Sequence, residues 1–122
     1  MFATWSAGNR RVLTAIANEQ LCVPAHVLIE TFSVLTRLPE PHRASAEAAS
    51  EYLRAEFKSV ITLPAVEHLK LLLRAVELGI SGGKMYDALV GVTARQNKVA
   101  LLTRDLRAKE TYDQLDVEAR YV

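Results

Sequence analysis

The chain has 122 residues, of which 50% are hydrophobic and 24% charged, the balance of one globular domain rather than of a disordered or fibrous chain. Its 15 Lys and Arg against 14 Asp and Glu leave a net charge of +1, which excludes a histone-like polycation and an acidic tail protein but permits a local basic patch. The single cysteine, Cys22, excludes a disulfide framework and a cysteine-rich zinc module.

In chain order, residues 2–18 read as a helix with Trp5, Val12, Leu13 and Ile16 on its buried side. Leu21-Cys22-Val23 is a short apolar run that suits a buried strand. Pro24 then fits the first turn of a helix reaching about Thr36, stopped by Leu38-Pro39-Glu40-Pro41. Residues 43–57 are alanine-rich and helical, and the β-branched run Val60-Ile61-Thr62-Leu63 is a strand. Pro64 opens another helix with an apolar stripe of Leu69, Leu72, Leu73 and Val76, and Gly79 follows its end. After the turn Ser81-Gly82-Gly83, residues 84–96 form a helix, 99–102 a strand, 106–115 a short helix and 117–122 a last strand.

Short apolar strands alternating with helices predict a three-layer α/β/α sandwich with a parallel sheet, formed by residues 1–122 as a single domain. Such sheets bind ligands at the carboxyl ends of their strands, so chemistry is expected there or at adjoining helix starts. The apolar run between Glu19 and Glu30 is too short to cross a bilayer, and no secretory leader opens the chain, so a cytoplasmic protein without membrane association is expected.

Three carboxylates occupy informative positions. Glu30 lies in a helix that is apolar around most of its circumference, where an unpaired carboxylate costs several kcal/mol, roughly, unless it is paired, hydrogen-bonded or metal-bound. A salt bridge to Arg37 or Arg104 is the structural alternative. Asp87 follows Gly82-Gly83-Lys84-Met85-Tyr86 in the first turns of its helix, where the macrodipole alone favours an acid. Asp105 comes two residues after a strand end, in the place of a helix N-cap. Only 4 aspartates occur in the chain, and from Lys84 to Lys109 the acids Asp87 and Asp105 stand among 6 basic residues. Two acids in a basic segment suit a metal site that handles a phosphate backbone, since Mg²⁺ takes carboxylate and phosphate oxygens together. A solvated charged surface is the alternative.

Other constellations fail. Gly82-Gly83-Lys84 lacks the first glycine and the hydroxyl residue of a phosphate loop, and His26, His42 and His68 share no metal-ligand spacing. No nucleophile triad can be argued, and Trp5 and the tyrosines are too scattered for a base-stacking platform.

With these residues in view, the chain resembles PIN-domain proteins of the VapC toxin type. The resemblance is carried by Val23-Pro24-Ala25-His26-Val27-Leu28-Ile29-Glu30-Thr31-Phe32, by Gly83-Lys84-Met85-Tyr86-Asp87-Ala88-Leu89 and by Leu101-Leu102-Thr103-Arg104-Asp105-Leu106-Arg107-Ala108, with Thr111-Tyr112 and Leu115 in support. It implies a metal-dependent endoribonuclease of a type II toxin–antitoxin pair, dimeric and inhibited by a VapB-like antitoxin. By position, Glu30, Asp87 and Asp105 match three acids of the family's Mg²⁺ or Mn²⁺ site, and Thr103 matches a hydroxyl residue beside it. Lys84 and Arg104 flank the acids and are expected to meet RNA phosphates.

One departure stands out. The family opens with a central strand ending in an aspartate, whereas here the first acid is Glu19. The expectation is a chain lacking that strand, with a native start upstream, and with two neighbouring strands left to find other pairing, in an exchanged oligomer if necessary. A catalytically silent module that binds only antitoxin or its own copy is the alternative function, and a small receiver-like phosphotransfer domain a weaker third.

Overall fold

Twice in this chain a proline stands where a strand hands over to a helix. Pro24 (φ −61°, ψ 141°) and Pro64 (φ −58°, ψ 150°) are both extended residues at the N-caps of the helices that follow. A residue without an N–H removes one donor that the first turn of a helix would leave unsatisfied, and its fixed φ aims the chain into the helix. In a computed structural model, which describes residues 14–17 and 20–122, the elements run β1 (Thr14–Ala17), β2 (Gln20–Pro24), α1 (Ala25–Leu35), α2 (Ala46–Glu56), β3 (Ser59–Ile61), α3 (Ala65–Leu78), α4 (Lys84–Gln96), β4 (Ala100–Thr103), a 3₁₀ turn (Leu106–Ala108), α5 (Lys109–Gln114) and β5 (Ala119–Tyr121).

The remaining boundaries have local causes. Ser45 caps α2 by accepting the Ala48 N–H at 3.1 Å, which is why this helix starts three residues later than its composition suggests. Gly79, at φ 73°, ends α3 in the left-handed conformation that glycine adopts without a Cβ clash.

The sheet has the order β3-β2-β1-β4-β5. β2 and β3 pair in parallel, as do β4 and β5, and the α/β reading with parallel strands holds. The central position differs from expectation. β1 fills it, antiparallel to both neighbours, with Ala15 opposite Cys22 on one side and Leu101 on the other. Residues 14–17, read from sequence as the end of a helix, are therefore a strand; the rest of that segment lies outside the described residues. The reason is pairing: β2 and β4 each present a full row of backbone donors and acceptors, and a strand between them satisfies both. The slot that the family resemblance assigns to its first strand is thus occupied by another segment, in the opposite direction.

α1 packs on β2, β3 and α2, whereas α4 packs on β2 and β4 and against both α3 and α5. The main core gathers Val23, Val27, Leu63, Leu71, Ala75, Val90, Leu101, Tyr112 and Leu115, and a satellite cluster of Leu35, Ala49 and Leu53 holds α1 to α2. Cys22 is buried among apolar neighbours, as its sequence context implied. α4 approaches α5 so closely that a Cβ on Gly91 would lie 3.0 Å from both Tyr112 Cδ1 and Val117 Cγ2. One patterning expectation reverses: α3 turns Leu71 and Ala75 inward, while Leu69, Leu72, Leu73 and Val76 are exposed.

Candidate functional site

Because β1 is antiparallel to both β2 and β4, those two strands run the same way, and the carboxyl ends of β2, β3, β4 and β5 share one edge of the sheet. α1 departs from that edge after β2, carrying Glu30 in its second turn. The loop carrying Asp105 departs from it after β4. α4 packs on β4 and is joined to it by residues 97–99 alone, so it runs back along the strand and brings its first turn, with Asp87, toward the same end.

Asp105 is the most constrained of the three acids, 5% exposed. Its backbone N–H donates to Thr103 Oγ1 at 3.0 Å, and its own Oδ1 accepts from the Arg107 N–H at 3.0 Å and from Arg107 Nε at 3.3 Å. The N-cap role is therefore real, and it coexists with burial at a strand's carboxyl end. Thr103 is fully buried, and its carbonyl accepts the Val122 N–H at 3.0 Å, so β5 holds the strand end from which the loop springs. The Thr103 hydroxyl thus lies against the backbone of Asp105. Arg107, which sequence reading counted only as one of several cations, is the residue that orients the carboxylate. The signal was available: an N-cap aspartate takes the N–H two residues on, which is that of Arg107.

Asp87 is half-buried in the first turn of α4, with Lys84 exposed one turn ahead. Glu30 corrects the sequence reading, for it is exposed rather than buried. α1 buries Val27 and Leu35, and its apolar neighbour Ile29 also faces outward, so the helix is not enclosed on several sides. One turn before Glu30 lies His26, whose Nε2 is buried without a hydrogen-bond partner. Burial pushes the His26 pKa down, Glu30 draws it up, and His68 at the start of α3 pushes it down again. Arg104 is exposed beside Asp105.

As donors these acids suit a hard divalent cation in kind, since all offer carboxylate oxygens. In number they do not converge: among the described residues no group of three His, Cys, Asp or Glu stands close enough to hold one ion. Mg²⁺ needs only one or two protein carboxylates when water and phosphate oxygens complete its octahedron, so the set is adequate for a cation brought together with a phosphate substrate. Among the described residues no helix is long and apolar enough to cross a membrane.

Comparison with known proteins identifies the family. The chain is 44% identical over 122 residues to a protein named Ribonuclease VapC40 from Mycobacterium tuberculosis, a match spanning 99% of this chain and 90% of the relative. It is 40% identical over 103 residues to Ribonuclease VapC27 of the same organism, covering 83% of this chain and 74% of that one. No solved structure gives a significant match. The PIN domain profile matches residues 2–114, and with these relatives the chain belongs to the PIN-domain family in its VapC-type branch.

Proposed function

We propose that this protein is an endoribonuclease toxin of a type II toxin–antitoxin pair, acting in the cytoplasm on RNA with Mg²⁺ or Mn²⁺. Residues 1–122 act as one PIN-like unit in this reading, paired with a VapB-like antitoxin and with a second copy of the chain as a homodimer or exchanged oligomer. The observation that carries it is the buried, oriented carboxylate of Asp105, tied through Thr103 to the strand end in a chain whose relatives are named ribonucleases.

Asp87 and Asp105 would hold the cation, with Glu30 as the third acid of the set. When bound, such an ion supplies positive charge to the phosphodiester and an acidified water. The chain's own contribution is positional. Arg107 fixes the Asp105 carboxylate from two directions, so the acid need not reorganise when substrate arrives. Lys84 and Arg104, exposed on either side, neutralise neighbouring phosphates and set the register of the RNA without reading its bases. Thr103 acts as a positioning residue, holding the loop through the Asp105 N–H.

Expression of the wild-type chain should arrest growth and produce RNA cleavage that chelation by EDTA stops, and Asp105→Asn should lose both. A fully toxic, EDTA-insensitive Asp105→Asn variant would end the carboxylate mechanism. The lack of a ready three-acid cluster among the described residues favours a second reading, a silent module that binds antitoxin without cutting RNA. Calorimetric titration with Mn²⁺ separates the two: saturable binding that is absent in Asp87→Asn supports the nuclease, and no binding in either supports the module.

A further inference from the structure

His26 stands half-buried in the first turn of α1, where β2 hands over to the helix. Its Nε2 is buried and meets no hydrogen-bond partner among the described residues. A nitrogen taken out of water and given nothing in return destabilises the fold, and native proteins hold few of them. An apolar side chain of similar size would remove that cost, so stability alone does not call for a histidine here. The other histidine whose charge reaches this ring does not serve it, since His68 turns its Nδ1 to the Pro64 carbonyl at 3.1 Å.

Glu30 has the opposite problem. It is exposed, and among the described residues no hydrogen bond or ion pair holds its carboxylate. It follows His26 by four residues, so the two lie on one face of α1, a single turn apart. Helical Cα–Cβ bonds tilt toward the N-terminus, and the glutamate therefore leans back over the turn that carries His26. The carboxylate is close enough to draw the ring's pKa up, against the larger effect of burial, which pushes it down. A neutral imidazole still has one N–H to give, and a carboxylate can only accept.

We infer that His26 is the positioning residue of Glu30, its Nε2–H donating to the Glu30 carboxylate when that acid swings in to complete the site. This rests on the reading that makes Glu30 the third acid of the set, and it supplies what that acid lacks. Asp105 is already aimed by Arg107, at 3.0 Å and 3.3 Å, whereas Glu30 must give up side-chain freedom to be recruited. A bond from a buried ring fixes one carboxylate oxygen and leaves the other for a cation. The unpaired nitrogen is then the waiting half of that bond.

The test is calorimetric titration of the full chain with Mn²⁺, beside chemical denaturation without divalent cation. His26→Leu should weaken Mn²⁺ binding about 10- to 100-fold, the usual effect of losing a partner behind a metal ligand, while its denaturation midpoint stays level or rises. His26→Gln, whose amide nitrogen falls near the place of Nε2, should recover most of the affinity, and the shorter His26→Asn should not. In a Glu30→Ala background, His26→Leu should have no further effect on binding. Weaker binding together with a lowered midpoint, in both backgrounds, makes His26 a core residue and overturns the proposal. Should His26→Leu fail to fold, the glutamine and asparagine variants decide, and equal affinity in the two overturns it. Unchanged binding in His26→Leu, with binding lost in Asp87→Asn, overturns the positioning role and leaves the nuclease reading standing. A wild type that binds no Mn²⁺ overturns both.

Discussion

Helices α3 and α4 are consecutive, similar in length, and treated in opposite ways by the fold. α4 has a mean composition that is barely apolar, yet Ala88 and the unbroken run from Val90 to Ala94 are buried. α3 is visibly richer in leucine and buries only Leu71 and Ala75. The difference is one of neighbours. α4 is wedged between the sheet and α5, where even Gly91 is within contact of Tyr112 and Val117. α3 packs on α4 and, among the described residues, turns only its inward edge to its own chain. Apolar content therefore measures how much surface a helix must hide, while position decides whether the same chain does the hiding.

The largest expected effect falls on α4, where packing and chemistry share one helix. Asp87→Asn should lower RNA cleavage on the order of 10³-fold, equivalent to about 4 kcal/mol of transition-state stabilisation, with the fold retained by circular dichroism. Retained cleavage would separate α4's rigidity from any catalytic purpose. Next is Leu71→Ala, the inward residue of α3, which should cost about 2–5 kcal/mol in chemical denaturation. Gly91→Leu forces a side chain into the α4–α5 contact and should cost about 3 kcal/mol, read as a lowered denaturation midpoint. A neutral result there would mean that α4 is less tightly wedged than α3. The smallest effect belongs to Leu72→Ala, one residue from Leu71: with chains dilute enough to be separate, stability should change by no more than about 0.5 kcal/mol. The Leu71 and Leu72 pair is the sharpest form of the comparison, since the two differ only in the direction they face.

Helix positions were legible because proline, glycine and serine punctuate them. Pro24, Pro64 and Gly79 mark termini that the structure reproduces within a residue, and α4 runs from Lys84 to Gln96 as its periodicity implied. Burial was less so. The stripe on α3 has the period of a core face, and periodicity cannot tell a face that meets the sheet from one that meets solvent. Glu30 was misread for the same reason: its apolar neighbours imply enclosure, yet Ile29 itself faces outward. Asp105 and Thr103 were legible as a pair because a strand end followed by an N-cap is a local pattern. β1 was hidden because its pairing is not local. Residues 14–17 read as helix taken alone, and only the unpaired rows of β2 and β4, the latter more than eighty residues away, make a strand of them.

That strand has a consequence for how the molecule comes apart. The β3–β2 ribbon and the β4–β5 ribbon touch each other's hydrogen-bond ladders only through Thr14–Ala17, among the described residues. The seam is four residues long, and one side of it closes early in sequence while the other waits for Leu102. Two-stranded ribbons do not stand alone in water. If the seam opens, both halves lose their footing together, and the cooperativity of the sheet is invested in residues that carry none of its chemistry.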